Sequence, residues 1–466
     1  MNTYKQMQPV LLGWTQTLPV HWKIERLKFL LWERKESNNP IKTTEILSLT
    51  NTKGIIPYAQ KGNIGNKSKE NLEDYHLAHP GDLVVNSMNV VIGSVGISHY
   101  FGAISPVYYA LVPREYINIK YCEYIFRLSI FEETLKGLGN GILDIRKRIP
   151  MTKLNNVLLP VPPRPEQDQI VRFLDWKVSS INKLINIKRK EINLLKIQRQ
   201  RKLSSIITHG LKPGVSMKRT GIRWIGSIPA HWNCVPLKRC AKVKSGITLG
   251  KKYPANSNLI EVPYLRVANV QNGYVDLATV ATLKVTSQET QQYQLPIGCV
   301  LMTEGGDRDK LGRGCVWNGE IKNCIHQNHI FAVTVNDKLL QNKWLEYVSA
   351  SDVGRIYFDV TAIRTTNLAC TNASKVLAFP IPLPPRDEQE VISNELYKIL
   401  VNFDHVQIAL ENQIELLHEL KNKFIADAVT GKIDVRGIEI PEYEFVEEEA
   451  DSDADDEEET EGQEEG

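Results

Sequence analysis

The stretch LeuProValProProArgProGluGlnAspGlnIle (Leu159–Ile170) returns as ProIleProLeuProProArgAspGluGlnGluValIle (Pro380–Ile392), and each copy runs into a long segment with heptad-like spacing. Pro162 maps on Pro384 and Ile170 on Ile392, both 222 residues on. ProValHisTrp (Pro19–Trp22) returns as ProAlaHisTrp (Pro229–Trp232) after only 210, so the second copy is 12 residues longer. The edges of a long unit repeat while its interior does not. Such a pattern describes two variable modules on one fixed frame.

After Pro165 the apolar residues Ile170, Leu174, Val178, Ile181, Ile185, Ile192, Leu195 and Ile206 keep a mostly three-four spacing, interrupted by Lys188, Arg199 and Lys202. The later copy is cleaner, with Ile392, Leu396, Ile399, Phe403, Val406, Leu410, Ile414, Leu417, Phe424 and Ala428. This spacing predicts two coiled-coil helices. Pro-Pro fixes where each winds up, and ThrHisGly (Thr208–Gly210) and ThrGly (Thr430–Gly431) mark the left-handed caps. From Glu166 to His209 the helix would run roughly 65 Å at about 1.5 Å per residue. Paired antiparallel, the helices would turn the direct repeat into a pseudo-two-fold, about two turns of B-DNA at roughly 34 Å each separating two readers. The fold class expected is α+β: two mixed α/β domains joined by an antiparallel coiled coil.

Composition narrows the function. The chain of 466 residues carries a formal charge of +3, but 16 acidic residues and no Lys or Arg lie between Glu439 and Glu465. The preceding part holds 57 basic against 38 acidic residues, a surplus of +19, as expected of a body that meets phosphates. The acidic tail has almost nothing apolar to bury and is expected to be disordered. No window approaches a membrane span and Met1–Val10 lacks the apolar core of a signal peptide, so a cytoplasmic protein is expected. The seven cysteines show no Cys-x-x-Cys spacing, which favours free thiols in a reducing compartment.

In this order the motifs resemble those of the specificity subunits of type I restriction-modification enzymes. Besides the ProPro-x-x-GluGln signatures at Pro162–Gln167 and Pro384–Gln389, the resemblance rests on LysSerGlyIleThr (Lys244–Thr248), TyrLeuArgValAlaAsnVal (Tyr264–Val270) and HisGlnAsnHis (His326–His329). GlyAspLeuValValAsn (Gly81–Asn86), IleSerProValTyr (Ile104–Tyr108) and ThrGlyLysIleAspValArg (Thr430–Arg436) complete it. It implies target-recognition domains over 1–165 and 211–386 and conserved helices over 166–210 and 387–431, which leaves 432–466 as the acidic, disordered tail expected from composition. It further implies a non-catalytic subunit that reads a bipartite double-stranded DNA target and docks two methyltransferase subunits and restriction subunits. No cofactor is expected in this chain. S-adenosylmethionine, ATP and Mg²⁺ would serve the partner subunits.

The residues agree with a non-catalytic role, since no phosphate loop, Gly-x-Gly-x-x-Gly or Asp/Asn-Pro-Pro-aromatic sequence occurs. Asp309 with Glu320 and Lys322 loosely echoes a metal nuclease, and His326 with His329 a zinc site, but the first pattern arises by chance and the second lacks a third ligand. No metal site is expected. The remaining rival is a coiled-coil adaptor joining two protein-binding domains, which the +19 body disfavours.

Base readout needs forked or amide donors on loops, with Lys, Ser and Thr positioning the backbone. Candidates in the first module are Lys53, Tyr58, Lys61, Asn63 and Asn66, followed by Asn86 and Asn89 after a strand-like run. In the second they are Thr248, Lys251 and Lys252, then Arg308, Lys310 and Arg313 in a glycine-rich loop. Asp82 and Asp307 would repel phosphate and are expected to organise turns. For helix and subunit packing the expected residues are Ile170, Leu174, Ile181, Ile192 and Leu195, with Ile392, Leu396, Ile399, Phe403, Leu410 and Leu417.

Overall fold

A computed structural model of the chain describes residues 2–50, 54–61, 71–90, 93–139, 148–306, 311–312, 314–364 and 369–449. It divides into two compact units, one of Met1–Lys190 with Leu410–Gly466 and one of Glu191–Ala409. Each contains the same four-stranded antiparallel sheet. In the first unit the order is Leu31–Arg34, Tyr108–Pro113, Leu83–Asn86, Val95–Ile97. In the second it is Ala241–Ser245, Ile330–Val335, Val300–Thr303, Gly314–Val316. The inner strands Leu83–Asn86 and Val300–Thr303 are buried at every residue, which explains apolar runs without alternation.

The repeated edges pair with each other inside each unit. Lys23–Arg26, just after the first ProValHisTrp, pairs antiparallel with Leu158–Val161, just before the first long helix. Asn233–Pro236 pairs likewise with Pro380–Leu383. The long helices then run over Arg164–His209 and Arg386–Val429, each starting directly after a Pro-Pro.

The glutamine of ProPro-x-x-GluGln explains why the motif is repeated. Gln167 is fully buried; its amide donates to the carbonyls of Pro162 (2.9 Å) and Tyr116 (3.3 Å) and accepts from the N–H of Asn118 (2.8 Å). Gln389, equally buried, donates to Pro384 (2.9 Å) and Leu339 (2.9 Å) and accepts from Gln341 (2.8 Å). One side chain thus satisfies three backbone groups that have lost water, tying helix start to domain. The adjacent glutamates have diverged. Glu166 is buried and accepts from Tyr4, Trp22 (2.9 Å) and His21 (2.8 Å), whereas Glu388 meets only the exposed His231 (2.8 Å) among its resolved polar contacts.

The helix exits also match. Gly210 and Gly431 have φ of 75° and 68°. A Cβ on Gly210 would stand 3.1 Å from Trp232, and one on Gly431 2.4 Å from Pro19. Each helix therefore ends against a Pro-x-His-Trp motif, and glycine is needed there for both conformation and space. Trp22 and Trp232 are core residues.

In the first unit Ile170, Phe173 and Leu174 share a core with Ile425, Ala428 and Val429; in the second Leu203, Ile206 and Ile207 share one with Ile392, Leu396 and Leu400. The helices are antiparallel: Phe173 meets Phe424 (6.3 Å between ring centroids), while further along the first helix Asn182 meets Lys421, earlier on the second. Ile181 and Ile192 are buried. Leu195, Ile399, Phe403, Leu410 and Leu417 are only half-buried, and Val406 is exposed. A pair of helices without a third element covers only one side of each seam residue.

The expectation of an unstructured segment from residue 432 is corrected. Val435 is fully buried, Ile433 is buried beside it, and residues 444–449 lie along the first long helix. Polar side chains of the helix bond this segment's backbone, so little apolar burial is required to hold it. Residues 450–466 lie outside the described residues. All seven cysteines are unpaired, five of them buried.

Candidate nucleic-acid interface

At one end of each four-stranded sheet the same backbone junction recurs. In the first unit Ser87 N–H donates to Val107 (3.1 Å), and Ile149 N–H donates to the Ser87 carbonyl (2.9 Å). In the second Glu304 N–H donates to His329 (2.9 Å), and Thr371 N–H donates to Glu304 (2.7 Å). Three loops therefore meet through one residue that follows an inner strand. A fourth joins by a parallel bridge, Ile46 with Ala103 in one unit and Ile247 with Gln327 in the other. The second bridge brings LysSerGlyIleThr onto HisGlnAsnHis, and Gly246 is required because a Cβ there would lie 2.0 Å from the His326 carbonyl.

On this shared frame the side chains differ. Ser87 and Val107 of the first unit correspond to Glu304 and His329, whose carboxylate and Nδ1 are 2.5 Å apart. His329 is about half exposed. No signal linked it to Glu304, 25 residues away in the chain.

The described candidates fall into three groups. Thr248 and Lys252 are exposed beside the bridge at Ile247, and Tyr58 and Lys61 sit just beyond the strand Gly54–Pro57, with the Lys61 ammonium 5.7 Å from the Tyr58 ring. Lys251 is committed to the Glu289 carboxylate. Burial opposes ionisation of Glu289, but Lys251, both Thr286 donors and Tyr253 outweigh it and bring its pKa to about 2. Asn86 is buried, its Oδ1 accepting from Met88 N–H (3.0 Å), and Ser94 N–H donates to the Asn89 carbonyl (3.2 Å). The Asn86 side-chain carbonyl is thus used to close a local turn. Lys53, Asn63, Asn66, Arg308, Lys310 and Arg313 lie outside the described residues, as do Asp307 and Asp309. Asp82 organises its turn, accepting from His79 N–H (2.9 Å) and pairing with both arms of Arg34 (2.8 and 3.0 Å).

Among the described residues no group of three His, Cys, Asp or Glu is arranged to hold a metal ion. His326 is fully buried with Nδ1 3.1 Å from the Tyr293 carbonyl, and burial pushes its pKa down to about 4. No helix among the described residues is long and apolar enough to cross a membrane.

The profile of the type I restriction modification DNA specificity domain matches residues 35–194 and again 229–421, one match per repeat. The chain belongs to this family. A type I restriction enzyme MjaVIII specificity subunit of Methanocaldococcus jannaschii is 26% identical over 322 residues, covering 67% of this chain and 70% of the relative. A putative MjaX specificity subunit of the same organism is 26% identical over 199 residues, but this match spans only 45% of that relative. A chain from a structure described as the basis of "complex assembly and conformational transition of the type I R-M system" superposes with a TM-score of 0.65 at 16% identity, covering 89% of this chain and 99% of the other. These likenesses establish a type I specificity-subunit fold and place the chain among the non-catalytic subunits.

Proposed function

We propose that this specificity subunit reads an asymmetric, bipartite duplex DNA target through the two loop junctions, one per unit, within recognition domains over 1–165 and 211–386. The repeated junction carries this reading: a constant backbone frame, built on the buried Ser87 in one unit and on Glu304 in the other, presents the half-buried Val107 at one site and Glu304 and His329 at the other. Equal frames with unequal side chains are what two independent readers of different sequences require. The surplus of +19 before the tail supplies backbone attraction.

The long helices would dock two methyltransferase subunits and, through the complex, restriction subunits. Leu184 and Ile187 in the first unit, and Leu194, Ile197 and Ile408 in the second, are 42–60% exposed on helices otherwise well packed at their ends. Exposed apolar residues on a regular helix suit a protein partner. S-adenosylmethionine, ATP and Mg²⁺ would act in those partners, in the cytoplasm. The test is to map methylated adenines in cells expressing this chain with its cognate methyltransferase, before and after residues 1–165 are replaced by a homologous domain. One part of the motif should change; a simultaneous change in both would refute independent reading.

A further inference from the structure

The frame of the first unit closes where Asp434 N–H donates to the Asn2 carbonyl at 2.8 Å, and residues 439–449 are an addition to the repeat. They lie along the first long helix and are held largely by their backbone. Ser179 Oγ donates to the Glu444 carbonyl (2.8 Å) and accepts from Val446 N–H (2.8 Å). Asn182 donates to Val446 (3.1 Å). Asn186 donates to Glu447 (2.9 Å) and accepts from Glu449 N–H (3.0 Å). These three side chains are buried and follow a single helix face. At the corresponding positions of the second long helix, 222 residues on, stand Val401, Asp404 and Ile408. The polar ladder therefore exists only on the helix that carries the added segment.

The end of this segment meets the helices' cations. Glu448 accepts from Arg189 (2.9 Å) and Lys421 and lies 3.4 Å from His418; Glu449 accepts from Lys190 (3.1 Å). A carboxylate pair here occupies the donors that would otherwise suit phosphate, for which an arginine fork has the same geometry. Ten more acidic residues and no Lys or Arg follow in the sequence between Asp451 and Glu465.

We propose that residues 444–449 are an anionic strap that masks a phosphate-binding surface formed by Arg189, Lys190 and Lys421, and thereby limits sequence-independent binding of duplex DNA. This rests on the DNA-reading function above. The division of labour supports it: the backbone ladder holds the strap in place, leaving its two carboxylates to meet the three cations. Non-specific affinity is almost wholly a matter of phosphate contacts and released counterions, so withholding three cations acts on that term while leaving base readout in the loops alone.

The test uses the full chain and its E448Q/E449Q variant, with a random duplex and the methylation target, between 50 and 200 mM salt. The variant should bind random duplex at least tenfold more tightly at 50 mM, with a log–log salt slope steeper by up to about 2.7, or about 0.9 for each of three phosphates. Adding R189Q/K190Q/K421Q should abolish the gain. S179A/N182A/N186A, which releases the strap by its backbone, should also strengthen random binding with the methylated motif unchanged. Unaltered random affinity and slope in both strap variants, while the target is still bound, would overturn the strap and leave the reading function standing. If no duplex were bound at any salt even with the methyltransferase present, the reading function would fail and the strap with it.

Discussion

Replacing Gln389 by Leu keeps the side-chain volume but removes the amide that serves three backbone groups. Gln341 N–H would lose its 2.8 Å acceptor, and the carbonyls of Leu339 and Pro384 their 2.9 Å donors. An unsatisfied buried polar group costs about 1–3 kcal/mol. Three such losses, reduced by relaxation at the loop, amount to about 4 kcal/mol. For a unit of this size that lowers Tm by roughly 8–16 °C. The effect should be confined to the second unit. Hydrogen exchange resolved along the chain should show early opening of Asn233–Pro236, Pro380–Leu383 and the start of the second long helix. Lys23–Arg26 and Leu158–Val161 should stay protected, and the equivalent Gln167→Leu should reverse the pattern. A Q389L protein melting within about 1 °C of wild type, with unchanged exchange, would refute the assignment of the motif as a buried staple.

Glu132, beside Gly93 in the first unit, has its pKa raised to about 7 chiefly by burial, with Lys136 opposing and Glu133 adding. The folded chain thus holds a proton that the unfolded chain releases near 4.5; the stabilisation is complete below that pH and lost as pH rises through 7. E132Q should therefore gain Tm over wild type progressively between pH 5 and pH 8, and a pH-independent difference would count against it. Asn86→Ala should lower the stability of the first unit by about 1 kcal/mol through loss of its turn hydrogen bond, leaving the methylated motif intact; a changed motif in a stable protein would restore Asn86 as a reader. One heptad inserted after Leu194 adds about 10 Å of helix, or about three base pairs of rise, and should change the spacer of the methylated motif with both specific parts preserved. An unchanged spacer in an active complex would show that helix length does not set the distance between the two parts.

The frame was readable because its signals are short-range or strictly repeated. Pro-Pro sets Arg164 and Arg386 as helix starts, glycine ends both helices, and matching edges announce the two units. The site was less readable because it depends on meetings across the chain. Asn86 has the same letter whether it closes a turn or faces a base, and only its buried carbonyl bonded to Met88 separates the two. Lys251 is held by Glu289, 38 residues on, a partner that no local signal announces. Nothing local in the sequence marks Ser179, Asn182 and Asn186, and what makes them a ladder is a segment more than 260 residues later.

The contrast between staple and junction shows why such a chain can keep its fold while its two sites diverge. The hydrogen bonds of Gln167 and Gln389 go to backbone groups, so that requirement is blind to the side chains of the loops they hold. At the junctions, too, the shared bonds at Ser87 and Glu304 are made by main-chain groups, and the side chains differ in size and charge, Ser87 being buried and Glu304 and His329 partly exposed. A substitution at Glu304 or His329 therefore changes what the second site presents without costing a buried hydrogen bond of the frame. A substitution at Gln389 does the reverse. Stability and specificity rest on different atoms, and the repeat preserves the first while leaving the second open to change.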